Sequence, residues 1–239
     1  MFFILEMLVI FFTKKLNKIN MENYLQELGL LYNTDKSRIK YKNISYLDIY
    51  NRYFSKIREE VKTFVEIGIL NGSSLKMWRD YFPNATIYGV DIDPRCKAYE
   101  SDRIKIFIGS QNDVNFLNQL KEEIGEIDVL IDDGSHITNH QITSFNLLYP
   151  SIKKGGFYVI EDLLNSYEER WEAWKIDGEV LRQIWPGMSY NDPSDAMMNY
   201  RKDFDKFVGE IIKNLDYQTD QNNIIGVHFH SMQVIIENN

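Results

Sequence analysis

The stretch VLIDDGSHITNHQ, residues 129–141, sets two adjacent carboxylates, Asp132 and Asp133, beside two of the chain's four histidines, His136 and His140. A second acidic pair, Glu161 and Asp162, closes the apolar run FYVI. Carboxylates delivered to one rim from neighbouring strand ends make an all-oxygen cluster that suits a hard cation such as Mg2+. Coordination lowers the pKa of a hydroxyl and fixes its position, and a nearby imidazole can then remove the proton. His136, just beyond the first pair, is the candidate general base. The competing reading of the same spacing is that the acids cap the helices that follow. His140, one helical turn further on, reads as structural or supporting. His228 and His230 alternate with Val227 and Phe229 and read as surface or packing residues.

A second constellation points to a cofactor. The segment EIGILNG places Glu66, Gly68 and Gly72 around a strand-to-helix turn, with Ser73 opening the helix. Glycine there lets a ligand approach the backbone. Asp91 ends the next apolar run, placed to accept hydrogen bonds from ribose hydroxyls. Ser110, Gln111 and Asp113 follow the third, in position to address an adenine edge. The G-x-G-x-x-G spacing of a dinucleotide site is absent, and an acid at the first turn would repel a phosphate. It suits a ligand with a positively charged amino group. Adenosine joined to an amino-acid tail describes S-adenosylmethionine, so the expected reaction is attack of an activated hydroxyl on a sulfonium methyl, aided by orientation. Packing alone would also account for a glycine-bearing turn.

Positioning these groups requires a sheet. Apolar, β-rich runs at 63–69, 85–93, 104–110, 127–133 and 157–163 alternate with helical patterns at 72–82, 113–125 and 138–150, Asp113 doubling as a helix cap. That alternation predicts an α/β fold with a Rossmann-like, mostly parallel sheet covered by helices on both faces. Residues 224–238 read as two strands without a helix between them, an antiparallel pair closing the sheet. In such sheets ligands bind beyond the carboxyl ends of the strands, where all the residues named above fall.

The domain organisation expected is an apolar extension over 1–20, a helical segment over 21–62 and a cofactor-binding domain over 63–239, with an insertion near 164–223 covering the acceptor. Tyr167, Trp171, Trp174, Trp185 and Tyr190 form either an aromatic wall for a sugar face or ordinary core. The run MFFILEMLVIFF is short for a membrane span and carries Glu6, and its basic residues follow rather than precede it. An upstream extension is the first reading, with membrane contact or burial in a homo-oligomer as alternatives. The 239 residues carry 27 basic and 35 acidic side chains, a net charge of −8, which argues against a general nucleic-acid backbone binder. The single cysteine, Cys96, excludes an internal disulfide and a cysteine-based zinc site and fits a reducing cytoplasm.

Three segments together, FVEIGILNGSSLKMWRDYFPNATIYGVDIDP, DVLIDDGSHITNHQITSFNLLYP and GGFYVIEDL, resemble the metal-dependent macrolide-sugar O-methyltransferases of the mycinamicin and demethylmacrocin type. The resemblance covers roughly residues 30–165, and NTDKS (33–37) is similar to a Thr-Asp-Lys motif in such proteins. It implies a class I methyltransferase using S-adenosylmethionine and Mg2+, with Asp133, Glu161 and Asp162 on the magnesium ligands and His136 on the catalytic base. Asp132 then falls beside the metal, on the cofactor side. The acceptor implied is a sugar or a sugar-containing small molecule. Two rivals remain: a cephalosporin-hydroxylase-like metal enzyme, which would want a two-histidine-one-carboxylate set, and a cofactor-binding scaffold without catalysis.

Overall fold

The structure is a computed structural model that describes residues 23–167, 200–217 and 223–239, together with a two-residue strand pair, β8 (Lys175–Ile176) and β9 (Glu179–Val180). The apolar extension over 1–20 and the aromatic residues Trp171, Trp174, Trp185 and Tyr190 lie outside the described residues. No helix among the described residues is long and apolar enough to cross a membrane.

A seven-stranded sheet runs in the order β10-β11-β7-β6-β3-β4-β5. Its strands are β3 (Thr63–Ile67), β4 (Thr86–Asp91), β5 (Ile104–Ile108), β6 (Ile127–Asp132), β7 (Ile152–Ile160), β10 (Ile224–His230) and β11 (Gln233–Asn238). The first five pair in parallel, and β11 joins β7 antiparallel and pairs with β10 through a tight turn. This is the mostly parallel, Rossmann-like sheet with an antiparallel closing pair that the alternation of runs predicts. Most boundaries shift by one or two residues, and the fifth strand differs most. β7 begins at Ile152 and runs through the KKGG segment, because a register shift opposite Ile127 and Val129 absorbs the glycines within the strand.

The chain winds from β3 outward to β5, then returns to place β6 on the other side of β3. The direction of winding therefore reverses between β3 and β6, and a cleft opens at their carboxyl ends. One layer of helices comprises α1 (Tyr24–Leu31), α2 (Tyr46–Phe54) and α3 (Ser73–Tyr81). It packs on the sheet through an aromatic cluster in which Tyr50, Phe54, Phe64, Trp78 and Phe82 are fully buried. The other layer comprises α4 (Val114–Ile124), α5 (Thr138–Leu148) and α6 (Tyr200–Tyr217). Phe145, Tyr149, Tyr158 and Phe204 fill the space beneath it. The segment between α1 and α2, which holds NTDKS, is ordered. It forms a 3-10 turn at Asp35–Ser37 and a two-residue hairpin, β1 (Lys40–Tyr41) with β2 (Ile44–Ser45). A capping box between Ser45 and Asp48 starts α2 immediately afterwards.

The closest backbone approach in the cleft is at Gly68. Its φ of +85° lies in the left-handed region, and a Cβ there would sit 2.0 Å from the carbonyl oxygen of Asp133. Only glycine lets the β3 turn and the β6 end meet so closely. Gly68→Ala is expected to lower unfolding free energy by at least about 2 kcal/mol in urea titration. A loss below about 0.5 kcal/mol would show that this approach does not constrain the fold.

Candidate active site

Strand register carries the acids to one rim. Ile67 pairs with Asp132, and Asp132 pairs with Ile160, so Asp133, Glu161 and Asp162 all emerge just past the last paired rung. Asp133 N–H donates to the Ile67 carbonyl and Glu161 N–H to that of Asp132, holding both backbones to the sheet up to the point where their side chains leave it.

At the centre lies a cation from outside the sheet. Lys36, on the 3-10 turn, is 1% exposed. Its Nζ donates to Asp133 Oδ2 at 2.5 Å and to the two oxygens of Glu161 at 2.9 and 2.8 Å, and lies 3.6 Å from Glu66 Oε1. Three close acceptors match the three hydrogens of an ammonium group. Burial works against the charge on Lys36, but the surrounding carboxylates outweigh it and raise its pKa well above the ordinary lysine value. The loop that presents it is tied to itself. Ser37 Oγ donates to the Thr34 carbonyl, Lys36 N–H donates to Asp35 Oδ1, and Thr34 and Ser37 are both buried.

Two tyrosines complete the cluster. Tyr46 and Tyr50 are one turn apart on α2 and so share a face. Tyr46 Oη donates to Asp162 Oδ1 at 2.6 Å, and Tyr50 Oη donates to Glu161 Oε1. Burial and the neighbouring carboxylates hold both phenols protonated, as donors. Burial, reinforced by the charge of Asp133, pushes the Glu161 carboxyl well above the ordinary carboxylate range, while Lys36 and Tyr50 oppose that shift.

On the open side, His136 Nε2 lies 3.5 Å from Asp162 Oδ2. Both residues hold left-handed backbone conformations, with φ of 58° and 57°. Asp and His tolerate that region better than most side chains, yet each such residue costs on the order of 1 kcal/mol. One ligand atom each from Asp133, His136 and Asp162 falls within 4.8 Å of the others. His136 Nδ1 is buried without a hydrogen-bond partner among the described residues. Among the described residues Glu66, Asp133 and Glu161 surround the Lys36 ammonium and Asp162 lies beside them, so acidic groups outnumber the cation and a divalent ion would offset the difference. The residues therefore fit a metal, with one difference from the expected donor set. Asp133 and Asp162 of that set face the open side with His136 beside them, while Glu161 is engaged by Lys36 and Tyr50.

The cofactor-side candidates separate into two groups. Asp91 binds the β3 turn, accepting the N–H groups of Ile69 and Leu70 at 3.0 and 3.3 Å through one oxygen and that of Asp93 at 2.9 Å through the other. Gly72 has φ +70° beneath the Tyr99 ring, and Ser73 N–H is held by Asn71 Oδ1. These residues, with Gly68 and Ser110, line the rim. The others turn inward. Glu66 is fully buried, accepts from Ser74 Oγ at 2.6 Å and Trp78 Nε1 at 3.4 Å, and burial raises its pKa to about 7. It faces Lys36 beneath the turn, away from where the amino group of a ligand was expected. Gln111 and Asp132, both buried, use their polar atoms on each other, on Ser144 and on the Ser135 N–H. Asp113 caps α4 through the N–H groups of Asn115 and Phe116. His140 Nδ1 pairs with Ser135 Oγ at 2.9 Å and braces the loop that carries His136. His230 pairs with Tyr53, and His228 with Glu237.

No family model matches the chain. Among curated proteins it is 44% identical over 126 residues to the 8-demethyl-8-(2-methoxy-alpha-L-rhamnosyl)-tetracenomycin-C 3'-O-methyltransferase of Streptomyces olivaceus, covering 50% of this chain and 32% of that protein. It is 31% identical over 203 residues to the mycinamicin VI 2''-O-methyltransferase of Micromonospora griseorubida, covering 79% and 46%. The solved structure of the MycE methyltransferase in complex with Mg, SAH and mycinamycin VI superposes with a TM-score of 0.68 at 30% identity, over 90% of this chain and 54% of that one. The chain spans less than half the length of these two curated relatives. It is homologous to O-methyltransferases named for a rhamnosyl tetracenomycin-C, demethylmacrocin and mycinamicin VI, and its sheet has the class I methyltransferase fold.

Replacing Lys36 with methionine keeps the length of the side chain and removes its charge, leaving buried carboxylates unpaired. Lys36→Met is expected to lose roughly 3–5 kcal/mol of unfolding free energy. Hydrogen exchange should show residues 33–41 opening first. A variant within about 1 kcal/mol of the parent would show that the ammonium does not hold this cluster together.

Proposed function

We propose that the chain is an S-adenosylmethionine-dependent, Mg2+-assisted O-methyltransferase that methylates a hydroxyl of a sugar or sugar-containing small molecule, with His136 as the general base. The observation that carries the reading is the convergence of His136, Asp133 and Asp162 at the cleft where the sheet reverses direction. Homology to sugar O-methyltransferases, and a structural neighbour solved with Mg and SAH, support it.

Asp133 and Asp162 would hold the metal, with Glu161 behind them, and a bound Mg2+ would supply charge to lower the pKa of the acceptor hydroxyl. The residues of the chain account for the rest. Gly68 and Gly72 keep the β3 turn open to the cofactor, and Asp91 offers carboxylate oxygens to ribose hydroxyls beside the amides it already holds. His136 removes the proton from the acceptor hydroxyl, and the Asp162 carboxylate, 3.5 Å from Nε2, balances the imidazolium that forms. The acceptor oxygen bonds to the methyl carbon as the carbon–sulfur bond breaks, its electron pair going to sulfur, so S-adenosylhomocysteine leaves as a neutral thioether. Tyr46 and Tyr50 fix the two carboxylates that follow β7 so that this geometry is present before substrate arrives. The same reading expects a cytoplasmic, homo-oligomeric enzyme.

Calorimetric titration of S-adenosylhomocysteine should show binding in EDTA and in excess Mg2+. His136→Ala should leave that affinity within threefold while lowering methyl transfer to sugar acceptors, free, glycosidic or phosphorylated, by about 10²–10⁴. Asp162→Asn should weaken Mn2+ binding followed by electron paramagnetic resonance. Absence of S-adenosylhomocysteine binding in both buffers would overturn the reading.

A further inference from the structure

A cleft of about 460 Å³ opens between α2, the β1–β2 hairpin and the turn joining β10 to β11. Its volume falls within the usual range for small-molecule sites. Ile39, Ile49 and Met232 give it an apolar floor. Two contacts join it to the acid cluster. Tyr46, in its wall, donates to Asp162, and the carbonyl of Met232 accepts the N–H of Leu163, the residue after Asp162. The cleft therefore adjoins the Asp162 side of the acid cluster, separated from it by Tyr46.

The charge of the lining is unlike that of the molecule. The chain carries a net charge of −8, yet Lys42 and Arg52 line the cleft with His230, and among the described residues no Asp or Glu does. Neither cation forms an ion pair with a carboxylate among the described residues: Lys42 lies over the Tyr41 ring at 5.3 Å, and Arg52 faces the His230 imidazole, whose protonation it disfavours after burial does so. Two positive charges that have no carboxylate partner among the described residues, beside an apolar floor, favour an anionic ligand of more than one charge.

Resting on the methyltransferase reading, we propose that this cleft binds a phosphate carried by the acceptor sugar, so that the substrate class is a glycosyl phosphate rather than a neutral glycoside. Arg52 can take phosphate oxygens in a bidentate fork and Lys42 supplies a second charge. A nucleoside diphosphate carrier and the bare 1-phosphate present the same group to the two cations.

The experiment is calorimetric titration of the full chain, with S-adenosylhomocysteine and Mg2+ present, using three probes: dTDP-L-rhamnose, L-rhamnose 1-phosphate and methyl α-L-rhamnoside. At least one phosphorylated probe should bind ten times or more tightly than the neutral glycoside. The Arg52→Gln, Lys42→Gln double variant should lose roughly tenfold or more in that affinity, with S-adenosylhomocysteine binding unchanged. Tight binding of dTDP-L-rhamnose alone would assign the nucleotide as carrier, and equal binding of both phosphates would assign the 1-phosphate. Equal affinity for charged and neutral probes, no binding of any probe, or charged-probe binding indifferent to the double variant would each overturn the proposal. If S-adenosylhomocysteine binds in those cases, only the phosphate site falls. If it does not bind, the methyltransferase reading falls with it.

Discussion

The arrangement of this molecule depends on one buried ammonium. Without Lys36, Glu66, Asp133 and Glu161 would meet at the carboxyl ends of three adjacent strands with no positive charge among them, and such a cluster would lose either its charge or its packing. With it, each acid has a partner and the N-terminal segment is fastened across the sheet. Lys36 comes from a turn almost a hundred residues from Asp133, so the interaction is also a long-range tie. It makes the helices over 24–54 part of the site. The tyrosines of α2 depend on the same docking, because only a helix held at this distance can reach Glu161 and Asp162 with residues one turn apart.

The backbone shares in this arrangement. Reversal of winding between β3 and β6 brings two strand ends together so tightly that only glycine fits at position 68. The two residues that face each other across the open side, His136 and Asp162, both hold left-handed conformations. Strain of that kind survives where surrounding contacts over-determine it. Here Tyr46 on one side and the Ser135–His140 pair on the other supply those contacts. The closed half of the cluster, Glu66 with Glu161 and Lys36, is saturated with hydrogen bonds. The open half, Asp133 with His136 and Asp162, keeps unspent acceptor capacity. That division separates the residues that build the site from those free to act on a ligand.

Much of this was legible in the chain itself, for identifiable reasons. Mostly apolar runs such as TFVEI and IDVLID, alternating with helical patterns, point to a sheet covered on both faces, and acids at the ends of neighbouring strands then lie on one rim. The twin pairs at 132–133 and 161–162 stood out because charged pairs seldom follow buried strands without a purpose. Local pattern was less informative about direction. Glu66, Gln111 and Asp132 sit at positions suited to a ligand, yet each turns inward to satisfy another buried polar group. Asp113 reads equally well as a helix cap, and as a cap it is used. Tyr46 and Tyr50 carried a weak signal in their four-residue spacing, but that spacing is also the mark of an ordinary core face.

The sequence by itself determined the class of fold, the strand ends where chemistry could occur, and the residue types gathered there, because hydrophobic periodicity and side-chain chemistry are local properties. It could not determine which acid meets which cation. Thr34-Asp35-Lys36 looks like any polar turn until the chain is folded, since the partners of Lys36 lie 30, 97 and 125 residues away along the chain. Tertiary structure alone decided that Lys36 enters the acid cluster, that Glu161 is held by Lys36 and Tyr50 while His136 stands with Asp133 and Asp162, and that two cations line the neighbouring cleft. Electrostatic pairing depends on distance in space, and only the completed fold sets those distances.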